Sequence, residues 1–257
     1  MDAFLSGAPA TLGEIAVRRK FSIILILAVG LLASGCAHDP SGTAADNDPY
    51  EATNRAIFDF NMSLDRAVMR PVATFYVHAI PEPARDGVHN FITNIHLPVV
   101  FFNDVLQGDV DRAGQSLGRM TVNTTLGVGG LFDVASHMGI PGHDTDFGIT
   151  LGTWGLDEGP FLMLPFLGPA PPRDLAGKVV DVFMDPITYW NFREKIYYDV
   201  GLGVLGVIDL RAQNLGTLEG IERTSVDYYA TTRNLYLQYR AAQIRKGKPE
   251  IQNLPNF

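Results

Sequence analysis

The run from Gly159 to Pro172, GPFLMLPFLGPAPP, constrains this chain more than any other stretch. It carries no charge and sets Phe161, Leu162, Met163, Leu164, Phe166 and Leu167 among Pro160, Pro165, Pro169, Pro171 and Pro172. Prolines at that density remove backbone donors and break any continuous helix or central strand. The run is therefore expected to be apolar but irregular. A loop in water normally exposes a solvated backbone and polar side chains. An apolar loop needs cover, either from its own domain or from a ligand or membrane, and the run by itself leaves both open.

The rest of the chain narrows that choice. Its 257 residues suffice for one large domain or two small ones, and 46% of them are hydrophobic while 19% are charged, below the usual quarter. A net charge of -8 argues against a nucleic-acid partner and against adhesion to anionic lipid through a basic patch. The single cysteine, Cys36, excludes an internal disulfide and a cysteine-rich metal site.

Cys36 has a context. Arg18, Arg19 and Lys20 precede an apolar run from Phe21 to Leu32, followed by Ala33-Ser34-Gly35-Cys36. Basic residues, a short apolar run and small residues make a bacterial secretion signal, too short to span a bilayer comfortably. The end resembles a lipobox, with Ala33 where such motifs usually carry a larger aliphatic residue. The expectation is cleavage before Cys36 and lipidation of Cys36. Residues 1–35 then form a signal peptide with an N-terminal extension. The leader's three basic and two acidic residues leave the mature chain at -9. Ala37 follows the cysteine in place of the aspartate that commonly retains bacterial lipoproteins at the inner membrane, so export to the outer membrane is expected. Residues 36–47 read as a polar tether.

Beyond the tether the pattern is helical. Asp48-Pro49-Tyr50-Glu51 reads as a capped start of a helix that runs to Arg70 and stops at Pro71. A second helix starts near Pro83 and closes at Leu97-Pro98, with Val88, Phe91, Ile92 and Ile95 on one face. Pro98 to Leu106 is a buried strand or a short buried helix. Asp109 caps an amphipathic stretch ending at Gly127, and Leu131 to Met138 is a short helical piece. Further helices are expected over 175–190, 194–210 and 225–246, the second with Gly201, Gly203 and Gly206 permitting close helix approach. No segment after the leader is long and apolar enough to span a bilayer as a helix. Short apolar helices and loops fit a protein lying within one leaflet, and fit an ordinary helical core as well.

Chemical motifs are few. Gly114-Gln115-Ser116-Leu117-Gly118 matches the G-x-S-x-G of serine hydrolases, which needs a sharp strand-to-helix turn. Here helical spacing runs straight through Ser116. His137, His143, Asp144 and Asp146 lie close in sequence without the spacing of a metal motif, and His38, His78, His89 and His96 are scattered. Asn54, Asn61, Asn90, Asn94, Asn103 and Asn123 sit within apolar helical patterns, either as local caps or as the polar lining of a passage.

Several blocks resemble the MlaA (VacJ) lipoproteins. They are Asp48-Pro49-Tyr50-Glu51 with Asn54-Arg55; Arg70-Pro71-Val72-Ala73; Pro81 through Gly87; Leu106-Gln107-Gly108-Asp109; Arg119 with Asn123-Thr124; Leu126 through Ala135; Phe147-Gly148 with Thr150-Leu151-Gly152; and Gly159-Pro160-Phe161 through Pro165-Phe166 to Arg173-Asp174. The resemblance covers 48 into the 220s. It implies an all-α fold: a single ring-like domain of amphipathic helices over 48–246, with a glycine- and proline-rich apolar hairpin and a C-terminal tail over 247–257. It also implies an outer-membrane lipoprotein that withdraws stray phospholipids from the outer leaflet through a polar channel. These pass to a periplasmic carrier protein, beside a trimeric porin, without catalysis or cofactor. The expected anchor is Cys36. Asn54, Phe60, Asn61 and Asn123 are candidates to line the channel. Gly155, Gly159, Pro160, Leu162, Leu164, Pro165 and Gly168 are candidates for the hairpin and its pivots. A lipid hydrolase using Ser116 and a porin-associated structural lipoprotein remain the alternatives.

Overall fold

The computed structural model describes residues 48–190 and 192–246, so Cys36, the leader, the tether and the tail lie outside it. The described chain is helical apart from one small hairpin. Its first rod is α1 (Glu51–Leu64), a π-helical turn (Asp65–Met69) and α2 (Arg70–Ala79). Pro71 was expected to stop it and does not. A proline inside an α-helix lacks its N–H and collides with the carbonyl one turn back. The wider π turn, in which the Arg70 N–H reaches Asp65 O, absorbs that defect. The expected cap also differs. Asp48 makes no side-chain cap bond to α1; it is buried, and takes donors from Asn54, Tyr229 and Arg233.

Proline misleads again in α3 (Glu82–Leu106), which continues through Pro98. Pro98 to Leu106 is therefore helix, with Val99, Val100, Asn103 and Asp104 buried and Phe102, Val105 and Leu106 exposed. Asp109 caps α4 (Val110–Thr125) as its sequence indicates, accepting from Arg112 N, and α4 packs along α3. Two short helices follow, α5 (Val134–His137) and α6 (Phe147–Thr153), capped by Asp133 and Asp146.

The proline-rich run is more regular than expected. Met163–Leu164 (β1) and Gly168–Pro169 (β2) pair antiparallel, Met163 opposite Pro169. After it come α7 (Pro172–Met184), a 3-10 turn (Pro186–Tyr189), α8 (Lys195–Gln213), α9 (Leu215–Thr224) and α10 (Tyr228–Ile244). The separate helix α9 was not anticipated, because Gly216 and Gly220 weaken its pattern.

The apolar core is small: Phe58, Phe161, Met163 and Tyr229 form its centre. Polar networks join most other elements. Arg240 of α10 donates to Asp174 of α7 (3.0 and 2.8 Å) and also to Asp146 at the cap of α6, while the Tyr236 hydroxyl donates to Asp174 (2.6 Å). Burial disfavours ionisation of Asp174, but Arg240, Tyr236 and Arg173 outweigh it and hold the carboxyl below its usual range. Close by, α6 and α7 touch backbone to backbone. A Cβ on Gly177 would sit 2.2 Å from Gly148 N.

Candidate functional site

Three polar clusters lock α3 and α4 to their neighbours. The Ser116 hydroxyl donates to Asp104 (2.6 Å), which also holds His143 Nε2 (2.9 Å). Ser116 is buried mid-helix in α4 and its hydroxyl donates to the carboxylate; His143 Nε2 lies farther off, 3.5 Å from Ser116 Oγ, and spends that nitrogen on both oxygens of Asp104 instead of relaying between Asp104 and Ser116. Arg119, Asn123 and Ser136 converge on Asp133; burial pushes that carboxyl up, and the donors together pull it well below its normal value. Asn103 bridges Thr150 of α6 (2.7 Å) and Asp181 of α7 (2.9 Å). The neighbouring histidine and aspartates are likewise committed to structure: His137 pairs with Asp133 O, and Asp146 caps α6 and binds Arg240.

With these clusters included, the usual distribution of side chains is inverted. The buried polar and charged residues, fifteen among those described, outnumber the thirteen buried hydrophobic ones. Conversely Phe75, Phe102, Trp154, Phe183, Trp190, Ile196, Tyr197 and Leu210 lie exposed. Scattered exposed apolar residues are ordinary; contiguous faces of them are not. On α8, Ile196, Tyr197, Val200 and Val204 are exposed, as are Val207 and Leu210 at the rim of the cleft described next, while only Asp209 and Ala212 are buried. None of the helices among the described residues is long and apolar enough to cross a membrane.

On its other side α8 closes a cleft of about 600 Å³ with α3, the end of α7 and the 3-10 turn. One wall is a single face of α3, with His89, Ile92, Thr93 and His96 at helical spacing. The facing wall is α8, with Lys195, Asp199, Leu202, Gly203, Gly206 and Asp209. Asp209 accepts from Gln213 (2.9 Å) and pairs with His89 Nδ1 (3.0 Å). Lys195 Nζ lies 2.9 Å from both oxygens of Asp199. The α8 glycines were expected to permit close packing. Instead a Cβ at Gly201 or Gly203 would meet nothing within 4 Å, and only Gly206 nears α3, at 4.0 Å from Ile92. Sequence reasoning missed these cleft residues, setting His89 and His96 aside as scattered. Their signal was the two-turn spacing of His89 and His96, with Thr93 between, facing an apolar helix interrupted by Asp199 and Asp209.

The candidates named from sequence gather at the hairpin, away from this cleft. Asn54 Nδ2 donates to Phe161 O (2.9 Å), and Met163 N donates to Asn54 Oδ1 (2.9 Å). Two helical turns along α1, Asn61 Nδ2 donates to Leu164 O (2.9 Å), and Phe166 N donates to Asn61 Oδ1 (2.9 Å). The two amides thus complete the free edge of the hairpin as a neighbouring strand would. Asn61 also holds Phe166 at φ 65°, a left-handed conformation costly for an aromatic residue. Phe60 meets Phe166 edge to face at 5.6 Å and, with Thr53, Ala56, Ile57 and Pro165, lines an apolar groove. The run divides: Phe161 and Met163 at the base are buried, as cover from the domain itself requires, whereas Pro165, Phe166 and Leu167 at the tip are exposed, Phe166 by 74%. Leu162, Leu164 and Pro160 are half-buried. Gly155, Gly159 and Gly168 all have positive φ, a conformation glycine adopts freely. Asn123 is buried and holds Ala135 N and Asp133.

The chain resembles known proteins in sequence and fold. The family model of the MlaA lipoprotein matches residues 46–243. The chain is similar to the intermembrane phospholipid transport system lipoprotein MlaA of Escherichia coli (strain K12), 35% identical over 90% of this chain and 92% of that one. The protein of the same name from Haemophilus influenzae is 33% identical, over 88% and 92% of the two chains. A solved structure reported as the structural basis for maintenance of bacterial outer membrane lipid asymmetry matches with TM-score 0.69 and 36% identity, covering 77% of this chain and 98% of its own. The chain belongs to the MlaA lipoprotein family.

Proposed function

We propose that this chain is an outer-membrane lipoprotein that withdraws mislocalised phospholipids from the outer leaflet and passes them inward, so maintaining lipid asymmetry. One observation carries the reading: many large apolar side chains lie exposed while charged and polar ones are buried in networks, beside a cleft walled by both kinds. A head group crossing hydrocarbon pays a large desolvation cost unless polar partners line its way. A body apolar outside and polar within offers that way while the tails stay in apolar surroundings. The relatives named as phospholipid transport lipoproteins support the same reading.

Several finer points belong to the proposal. Removal of residues 1–35 exposes Cys36, whose lipid chains anchor the protein to the periplasmic leaflet through the 36–47 tether. Exposed apolar helices then fix its depth. Asn54, Phe60 and Asn61 act on passage by holding the hairpin, with Gly155, Gly159 and Gly168 as its pivots. Asn123 supports the neighbouring loop. A trimeric porin flanks the chain, and a soluble periplasmic carrier receives the lipid. No covalent chemistry is involved, and Ser116 serves as a structural hydroxyl.

The deciding experiment measures outer-leaflet phospholipid in cells lacking the protein. Phospholipid should accumulate there, and the intact chain should clear it. Ser116→Ala should clear it as well, whereas Gly203→Trp, which fills the cleft, should not. Unchanged outer-leaflet phospholipid in the deletion would refute the transport reading and favour a purely structural lipoprotein.

A further inference from the structure

The cleft has an electrical character that its shape alone does not require. Among its lining residues Asp185, Asp199 and Asp209 carry three carboxylates, against the single ammonium of Lys195. The histidines aside, carboxylates and ammonium sum to -2. Asp185 is committed to the fold, accepting from Ile187 N at the start of the 3-10 turn (2.9 Å). Asp209 is buried between His89 and Gln213. The pair left facing the cleft is Lys195 with Asp199.

Lys195 is badly placed for α8 itself. It is the first residue of a nineteen-residue helix, where the unpaired N–H groups already make the end positive. Its partner lies one turn towards the C-terminus, the weaker order for a helical ion pair. A residue that works against its own helix marks a place where another demand is met. A cation at a helix N-terminus suits an anion, and a carboxylate one turn further along suits a cation. An ethanolamine head group presents those two charges two carbons apart.

We infer that the Lys195–Asp199 pair is the head-group site of the cleft and selects zwitterionic, ammonium-bearing phospholipids over net anionic ones. The inference rests on the lipid-transport reading above. The phosphodiester takes Lys195 and the α8 N-terminus, the ammonium takes Asp199, and the internal ion pair is exchanged for two external ones with no charge left over. An anionic head group such as phosphatidylglycerol takes Lys195 equally well but strands Asp199 without a partner, in a cleft whose lining also carries Asp185 and Asp209. Discrimination then comes from the unpaired charge and not from a tighter fit.

The test uses the purified full-length protein equilibrated with vesicles of equal parts phosphatidylethanolamine and phosphatidylglycerol, with the bound lipid measured by mass spectrometry. Lipid that stays on the Gly203→Trp variant is surface lipid and is subtracted. Phosphatidylethanolamine should be enriched about fivefold, the scale a partly exposed ion pair supplies. Asp199→Asn should bring the ratio towards one with total bound lipid maintained. Lys195→Gln should lower both lipids together. The double exchange Lys195→Asp with Asp199→Lys, which keeps the pair and the fold, should retain part of the preference. Equal binding of the two lipids by the unaltered protein overturns the head-group selection while leaving transport intact. No bound phospholipid beyond the Gly203→Trp level fails the transport reading, and this inference with it.

Discussion

Helices α8 and α10 are nearly equal in length, nineteen and seventeen residues, and face opposite demands. Most of the aliphatic side chains of α8 point outward, and Asp209 is one of its two buried residues. By contrast α10 buries Tyr229, Arg233 and Arg240, each bonded to a buried or half-buried aspartate. On the proposed reading, apolarity marks where this protein meets lipid, and charge marks where the chain meets itself. In a water-soluble domain the two assignments would be exchanged. Substitutions within the polar interior should therefore damage the fold, and substitutions on the outer face of α8 should damage its relation to the membrane.

The largest effect is expected at Arg240. Arg240→Met removes the cation that Asp146 and Asp174 share, leaving Asp174 with only Arg173 and Tyr236 and Asp146 without its ion-pair partner. Breaking a buried ion network in this way costs about 3–5 kcal/mol, enough to deplete the folded protein. Yield and denaturant midpoint would report it, and a midpoint close to the parent's would break the comparison at its centre.

A smaller effect separates the glycines of the two regions. Gly177→Ala sets a methyl against the α6 backbone at Gly148, so the two helices must part, at about 1–3 kcal/mol. Gly203→Ala on α8 meets open space and gains helix propensity, stabilising by about 0.5–1 kcal/mol. Thermal melts of the two variants should shift in opposite directions.

Acid sharpens the same contrast. The carboxyls of Asp174 and Asp133 are held below their usual range, so the stability they supply is complete above the unfolded carboxylate pKa of about 4. It is lost as pH falls from there towards the lower folded values. The melting temperature should hold between pH 7 and about 5, then drop. Asp174→Asn should flatten that drop, and an unchanged slope in the variant would remove Asp174 from the account.

How much of this was legible in the sequence follows from which signals are local. Caps were readable at Asp109, because an aspartate bonding a backbone N–H three residues on needs nothing else. Asp48 showed the same local signal and was spent on Tyr229 and Arg233, about 180 residues away, which no window could reveal. Pro71 and Pro98 were read as stops because their cost is local. The π turn and the packing that repay it are not. The hairpin's composition marked an apolar segment, but its division into a buried base and an exposed tip depends on where α1 places Asn54 and Asn61. The cleft was hardest to see, since its walls lie about a hundred residues apart in sequence. The family blocks led to the fold and the lipid context without indicating His89, Lys195 or Asp199.

The smallest effect on stability should come from the outer face of α8, and there the two regions separate most sharply. Val204→Asp adds a charge to a position already 54% exposed and touches none of the interior networks. In detergent, where the variant's carboxylate finds water, the denaturant midpoint should stay within about 0.5 kcal/mol of the parent. In a bilayer the same carboxylate must be dragged into hydrocarbon or hold the helix out of it, at about 2–3 kcal/mol on insertion scales. Association with outer-membrane vesicles should therefore weaken while the protein stays folded. A variant that unfolds in detergent would show α8 to be held by contacts within the protein. One that binds vesicles like the parent would place its outer face in water. A folded variant that has lost the membrane would establish that this chain is apolar outside and polar within because its solvent on that side is lipid.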